Sequence, residues 1–389
     1  MTGRRERRPE VDRTAWSHVR DVLCVRLDTI GDVLMTGPAI RAVGERARVT
    51  LLTSSSGAAV AQLMPEVDET IIYDASWVKN SDGDREPERH GVPDRQLIER
   101  LARRRFDAAV IFTVYSQSAL PAALLCRLAG IPLRLAHCRE KPYALLTDWV
   151  PDPEPERVLR HEVRRQLDLV ATAGLSAAGE ELRISVPADA RGRAADRLAG
   201  LDLETGRWIA VHPGGTAPSR RYPAELFAEI CAALANRHGL ALVFTGDASD
   251  SDLVEEVRQR CEAPSVSLAG QLDLPELAAV LDCAAALLCG NTGPAHLAAA
   301  MGTPVVDLYA LTNPQHTPWQ VPTRVLFCDV PCRWCYSSVC PEGHHRCLLG
   351  ITPEQATRAV IDLLNSPAPD AYLEGARQVA EWGTTLTPA

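Results

Sequence analysis

The chain has 389 residues, 46% of them hydrophobic and 23% charged, more than one ordinary core holds, and this points to two globular domains. A net charge of −9 lacks the basic footprint of a nucleic-acid binder, and no apolar run approaches the length that spans a bilayer. Most of the twelve cysteines, such as Cys24, Cys283 and Cys289, are scattered through apolar runs, which suits a reducing cytoplasm better than a disulfide scaffold.

Residues 1–20 carry Arg4, Arg5, Arg7 and Arg8 with no apolar stretch behind them. They read as a flexible basic tail rather than a secretory signal, with weak peripheral attraction to an anionic membrane as the alternative. From residue 21 short β-rich runs alternate with helical patterns. Strands are expected at Val22–Arg26, Val49–Thr53, Thr70–Tyr73 and Ala108–Phe112, with helices at Pro38–Glu45, Arg95–Arg105 and Ala119–Ala129. The polar stretch Ala75–Pro93 reads as a loop. Pro151, Pro153 and Pro155 exclude helix and central strand, and a long helix over Arg157–Ala173 follows them. The alternation restarts with strands at Trp208–His212, Ala241–Thr245, Ser265–Leu268, Ala286–Cys289 and Val305–Tyr309, and a last helix is expected over Tyr372–Trp382.

Such alternation predicts an α/β protein with parallel sheets covered on both faces, in two Rossmann-like halves. The expected division is a tail at 1–20, a first domain at 21–185, a second at 186–366 and a terminal helix and tail at 367–389. In such sheets ligands bind beyond the carboxyl ends of the strands, so two halves of this kind predict a cleft between those ends.

Three stretches carry candidate chemistry. Leu23-Cys24-Val25-Arg26-Leu27-Asp28-Thr29-Ile30-Gly31-Asp32 is a strand, a short turn and a helix start with an acid in it. An Asp there is commonly a helix cap, and equally a carboxylate able to face a ligand. His212-Pro213-Gly214-Gly215-Thr216-Ala217-Pro218-Ser219-Arg220-Arg221 leaves a strand through two glycines that let backbone approach an anion. Thr216 and Ser219 add hydroxyl donors there, and Arg220 a guanidinium fork. Asn291-Thr292-Gly293-Pro294-Ala295-His296 joins a buried strand to a short helix ended by Gly302. Pro294 suits a first helical turn, and that turn aims amides and a positive helix end at a phosphate-sized anion, with His296 inside it. Neither loop of the second half has the Gly-Lys-Ser/Thr ending of a P-loop or the Rossmann dinucleotide spacing, so an ATPase or a nicotinamide enzyme is not expected. A diphosphate site and a carboxylate opposite it suggest group transfer from a nucleotide-activated donor.

A further cluster is Cys328, Cys332, Cys335, Cys340 and Cys347, with His344 and His345 before the last. Free thiols are the expectation, because the second pair lacks short ligand spacing; a structural zinc on Cys332, Cys335, Cys340 and Cys347 is the alternative. Trp319, Trp334 and Trp382 are read as packing residues.

The segments VRLDTIGDVLMTGPAIRAV, HPGGTAPSRRYPAELFAEI and GNTGPAHLAAAMGTPVVDLY, in this order, resemble the ADP-heptose:lipopolysaccharide heptosyltransferase family, glycosyltransferase family nine. The resemblance runs from about residue 21 to residue 364 and implies a GT-B fold: two Rossmann-like domains, their parallel sheets facing a central cleft, with the donor held mainly by the second. It implies inverting, metal-independent transfer without a cofactor. Position by position, Asp32 matches the general base, with Asp28 and Gly31 on the acceptor side. Arg220 matches a cation near the donor phosphates. Gly214, Gly215, Thr216 and Ser219 lie in the donor loop, Asp250 matches an acid at the nucleotide ribose, and Asn291, Thr292, Gly293, Pro294 and His296 form the phosphate turn. Asn291 stands where the family commonly has Asp, which leaves that position hydrogen bonding and no proton chemistry.

The resulting expectation is a cytoplasmic, inverting glycosyltransferase that moves a sugar such as heptose from a nucleoside diphosphate to a hydroxyl of a glycan, glycolipid or small molecule. Two alternatives stay open: a GT-B sugar-nucleotide epimerase, and a non-catalytic nucleotide-sugar-binding protein.

Overall fold

The computed structural model describes residues 11–78, 91–201, 203 and 207–365. Arg4 to Arg8, most of the polar loop at 75–93 and the helix expected over Tyr372–Trp382 lie outside the described residues. The chain divides into two compact units. One comprises the residues up to Val158 together with Glu162–Glu180, and the other comprises Leu159–His161 and the residues from Glu181 on. The expected boundary at 185/186 lies five residues beyond the observed division, which falls at Glu180 and hands three residues before Glu162 to the second unit.

The first unit holds β1 (Asp21–Arg26), β2 (Arg48–Thr53), β3 (Glu69–Ile72), β4 (Ala108–Ile111), β5 (Leu133–Cys138) and β6 (Asp148–Pro151). They form one parallel sheet in the order β3-β2-β1-β4-β5-β6. The second unit holds β7 (Trp208–His212), β8 (Ala241–Phe244), β9 (Ser265–Ser267), β10 (Leu287–Gly290), β11 (Val305–Leu308) and β12 (Thr323–Leu326). Its order is β12-β11-β10-β7-β8-β9, again all parallel. Counted within each unit, both sheets have the doubly wound order 3-2-1-4-5-6, in which ligands bind where the order reverses. That point lies between β1 and β4 in one unit and between β7 and β10 in the other.

The strands form because they bury side chains on both faces. Leu23, Cys24, Val110, Ile209 and Leu288 are all inaccessible to solvent, which is the pattern of a sheet covered by helices. Every strand expected from the sequence is present, and β5, β6 and β12 are added to them. β5 escaped notice because Arg134 and His137 interrupt its apolar run. Both are buried, and the Arg134 guanidinium is satisfied by the carbonyls of Leu145, Pro132 and Ala144. β6 ends in Pro151 at the sheet edge, a position proline tolerates.

Two helix assignments change. The helix expected over Pro38–Glu45 begins at Ile30 and runs to Gly44 with Pro38 inside it. A capping box between Thr29 and Asp32 fixes its start more than a turn before the proline. Val33, Leu34, Met35, Ala39, Ile40 and Val43 are all buried, so packing on several sides offsets the hydrogen bond that Pro38 removes. The helix expected over Arg157–Ala173 is shorter, Glu162–Thr172.

Residues 11–20 are a correction to the tail assigned to 1–20. Asp12 caps a helical turn, Arg13–Trp16, by accepting from the amides of Thr14 and Ala15. Trp16 is buried, and Arg13 Nε donates to the Thr172 carbonyl at 3.1 Å. An indole placed there removes a large apolar area from water, which anchors this segment to the first unit.

Candidate functional site

In the first unit, β1 ends in Arg26, a guanidinium with no solvent exposure. Its three nitrogens each face one carboxylate. Nε lies 2.9 Å from Asp28 Oδ2, Nη2 3.1 Å from Asp32 Oδ1 and Nη1 2.8 Å from Glu162 Oε1. The acids come from the turn after β1, from the first turn of Ile30–Gly44 and from the start of Glu162–Thr172. Burial works against the Arg26 cation, but Asp28, Glu162 and Asp32 outweigh it and raise its pKa above the ordinary value.

Asp32 Oδ2 also accepts from Thr29 N at 3.2 Å and Thr29 Oγ1 at 2.8 Å, so it is both helix cap and site carboxylate. Asp28 Oδ1 accepts from Gln117 Nε2 at 2.6 Å. Burial pushes the Asp28 carboxyl up to about 6; Arg26 opposes this, Asp32 adds to it, Gln117 opposes it and Glu162 adds to it. Gly31 is buried in the first helical turn between the two acids. Glu162 Oε1 receives a second donor, Gln166 Nε2, at 2.7 Å. One turn on, Arg165 Nη2 meets Asp152 at 2.7 Å and Nε meets Glu154 at 2.9 Å. Glu162, Arg165 and Gln166 thus make a buried polar stripe at helical spacing. Sequence reasoning missed Arg26, Glu162 and Gln117 as members of this site. The available signals were an arginine closing an apolar strand and polar residues at i, i+3 and i+4 on a helix that must bury one face.

In the second unit the loops after β7, β8 and β10 are packed on one another. A Cβ on Gly214 would overlap the Asp250 carboxylate, and one on Gly215 would lie 2.9 Å from Thr292 Cγ2. A Cβ on Gly290 would come 3.0 Å from the Arg220 carbonyl. Gly214, Gly215, Asp250, Thr292 and Arg220, expected to share a site, are therefore brought together by close backbone approach. Asp250 is buried and accepts from Asp247 N at 3.3 Å, while Asp247 Oδ1 accepts from Asp250 N at 3.1 Å. Beside them the His212 ring contacts Thr245 Oγ1 at 3.1 Å. Burial lowers its pKa despite the nearby charges of Asp250 and Asp247.

The turn after β10 has the backbone form that the sequence predicts. Thr292 precedes the helix Gly293–Met301, Pro294 lies in its first turn, His296 is buried in that turn and Gly302 closes the helix with φ of 80°. Thr216, by contrast, is exposed on the loop after β7.

Two expected donor residues have other duties. Ser219 is buried, its hydroxyl donates to the Ser337 carbonyl at 2.7 Å and its amide to the Ser338 carbonyl at 3.0 Å. Its proton is committed to bracing the loop rather than offered to an anion. Arg221 does similar work, donating from Nε to the Gly215 carbonyl at 2.6 Å. Asn291 clamps the backbone beyond β11: Nδ2 donates to the Ala310 carbonyl at 3.2 Å, and Oδ1 accepts from Ala310 N at 3.3 Å. One amide side chain satisfies both groups, which an ionised carboxylate, an acceptor only, does not. Asn291→Asp is expected to cost about 1–3 kcal/mol, because it sets a carboxylate oxygen against a buried carbonyl. Urea unfolding measures this, and an unchanged midpoint would refute the clamp.

Asp307, on β11, is a buried acid near Arg220 that sequence reasoning missed; the signal was an acid inside an apolar strand. It is fully buried and neither carboxylate oxygen has a hydrogen-bond partner among the described residues. Burial holds its pKa well above the ordinary value, and the nearby Arg220 cation opposes this.

In the cysteine cluster, Cys332 Sγ lies 3.7 Å from His344 Nε2, and all five thiols are half-buried. Among the described residues no three His, Cys, Asp or Glu side chains converge as a metal ion requires, so the zinc alternative on Cys332, Cys335, Cys340 and Cys347 has no assembled ligand set. Cys24 and Cys289 are buried free thiols, whereas Cys283 is exposed. Trp319 packs as expected, stacking on His161 with ring centroids 4.4 Å apart.

Residues 95–345 match the family model described as glycosyltransferase family 9 (heptosyltransferase). The chain is 24% identical over 361 residues to lipopolysaccharide heptosyltransferase 2 of Escherichia coli (strain K12), covering 88% of this chain and 98% of that protein. Among solved structures it is similar to a glycosyl transferase family 9 protein from Veillonella parvula DSM 2008 (TM-score 0.72, 22% identity, 89% and 97% of the two chains). It is also similar to the E. coli heptosyltransferase WaaC with ADP-2-deoxy-2-fluoro heptose (TM-score 0.61, 19% identity, 88% and 99%).

Proposed function

The chain belongs to glycosyltransferase family 9, with a GT-B fold, and we propose that it transfers heptose from ADP-heptose to a hydroxyl of a lipopolysaccharide-type glycan with inversion at the anomeric carbon. That it is a glycosyltransferase follows from the family; donor, acceptor and residue roles belong to the proposal. The observation that carries it is the division of charge. One strand-end site concentrates carboxylates, and the other presents glycine backbone, Arg220 and a helix start suited to an anion.

In this reading the second unit binds the diphosphate through Gly214, Gly215, Arg220 and the Thr292–Gly293 turn, with Asp250 at the ribose. As the bond from C1 to the diphosphate oxygen breaks, its electron pair stays on the leaving group, and fixed donors and the Arg220 cation stabilise that charge. The acceptor oxygen attacks C1 from the opposite face, and Asp32 takes its proton. Work in the cytoplasm fits this reading, since a reducing compartment keeps buried thiols such as Cys24 free. No helix among the described residues is long and apolar enough to cross a membrane.

The test incubates purified protein with ADP-heptose and a panel of other nucleotide sugars plus a heptose-accepting core glycan, and reads the product anomer by NMR. The expected result is product from ADP-heptose with inverted configuration. Retention of configuration, or turnover with another donor alone, would overturn the proposal.

A further inference from the structure

The middle of the cysteine-rich segment, residues 334–338, is tied by backbone hydrogen bonds to two loops of the second unit. Trp334 N donates to the Leu311 carbonyl at 2.7 Å, and Tyr336 N to the Thr312 carbonyl at 2.9 Å. One residue on, the carbonyls of Ser337 and Ser338 accept from Ser219, from its hydroxyl at 2.7 Å and its amide at 3.0 Å. Residues 334–338 therefore bridge the loop after β7 to the chain after β11, next to the Ala310 backbone that Asn291 clamps.

This bridge is held under strain. Trp334 and Tyr336 have φ of 63° and 51°, a left-handed conformation that is costly for any residue with a Cβ. Tyr336 and Val339 are 39% and 64% exposed, so apolar burial does not hold that end. Trp334 packs beside Tyr309, Leu311 and Val330 and anchors the other. The exposed end relies on its hydrogen bonds to Thr312 and Ser219.

Ser219 is 3% exposed and lies in the 3₁₀ turn Pro218–Arg220, immediately before Arg220. Arg220 N donates to the Ala217 carbonyl at 2.9 Å, and the Arg220 carbonyl abuts Gly290 so closely that a Cβ there would come within 3.0 Å. The Arg220 backbone is thus fixed on both sides. Its side chain is held less firmly: Nε is buried with no hydrogen-bond partner among the described residues. The aim of the guanidinium depends on the backbone that carries it, and a long side chain magnifies any shift at its root.

We propose that residues 334–338 act as a strap that holds Arg220 in position for the donor diphosphate, with Ser219 the positioning residue that couples the two. The proposal rests on the reading of Arg220 as the phosphate cation. With the strap in place the loop after β7 is ordered before the donor arrives, so less freedom is lost on binding. Without it, Arg220 would have to be ordered by the ligand itself.

The test is calorimetric titration of the full-length protein with ADP. Ser219→Ala loses the hydroxyl and keeps the amide bond to Ser338. It should weaken ADP binding about threefold to tenfold, the scale of one lost hydrogen bond. Arg220→Ala should weaken binding further. In the double variant, Ser219→Ala should cause no additional loss, because the cation it positions is gone; a merely structural contribution would persist there. Tyr336→Gly and Tyr336→Pro give a second route. Both remove the ring, but glycine suits a φ of 51° and keeps the amide bonded to Thr312, whereas proline lacks that N–H and cannot adopt the angle. Proline should reproduce the loss of Ser219→Ala, and glycine should not. Equal losses from Ser219→Ala with and without Arg220, or full ADP affinity in both Ser219→Ala and Tyr336→Pro, would overturn the proposal. Affinity untouched by Arg220→Ala would instead sink the reading of Arg220 as a phosphate contact, and the strap's role with it.

Discussion

Asp32→Asn is expected to lower kcat/KM by on the order of 10²–10⁴, the range typical of a lost general base, with little change in donor affinity. Asparagine preserves the shape of Asp32 and still accepts from Thr29 at the helix start, so the capping interaction survives in part. What it loses is the charge that Arg26 Nη2 engages at 3.1 Å and the capacity to take a proton. Donor affinity should hold because the anion-suited loops belong to the second unit. Calorimetry with ADP and steady-state rates on the same preparation separate the two effects. A variant that turns over normally would remove Asp32 from the chemistry and leave it a helix cap.

Arg26→Met is expected to cost about 3–5 kcal/mol of folding stability, because it removes a buried guanidinium that faces three carboxylates. The loss should depend on pH, and its sign follows from linkage. Carboxylates deprived of Arg26 bind protons more tightly in the folded state than in the unfolded one, so the variant gains stability as pH falls through their range. The wild type already shows this tendency at Asp28, whose folded value is raised from 3.8 to about 6. The contribution of that proton is present below the unfolded value and lost as pH rises through about 6. Urea unfolding at pH 5 and pH 8 is the measurement. The deficit of Arg26→Met should shrink at pH 5, and a small deficit equal at both values would refute the electrostatic account of the cluster.

The two sites differ in how far they could be read beforehand. In the second unit, the turn Asn291-Thr292-Gly293-Pro294 and the paired glycines 214 and 215 are local signals, since backbone conformation is set by neighbours in sequence. The structure places these segments against one another as anticipated. The side-chain duties within them were not legible. Ser219 and Asn291 carry the right chemistry for a ligand, yet their hydrogen bonds go to the Ser337 carbonyl and to the backbone of Ala310. These partners lie 118 and 19 residues away, and no sequence window contains them. In the first unit Asp28 and Asp32 stood out as acids near a helix start. Arg26 showed only as a cation closing an apolar strand, with nothing to say which acids it would meet, and Glu162 lies 136 residues from it.

Strand and helix alternation followed from the sequence because each central strand buries both faces, so its residues must be apolar whatever the topology. Strands with polar or edge positions, β5, β6 and β12, fell below that signal, and only their pairing in the sheet defines them. The sequence by itself determined the α/β class, the places where backbone turns tightly and the acid that begins the first long helix. Tertiary structure alone decided which polar side chains are consumed in bracing loops and which carboxylates share a cation, because desolvation and charge coupling act between residues near in space and distant along the chain.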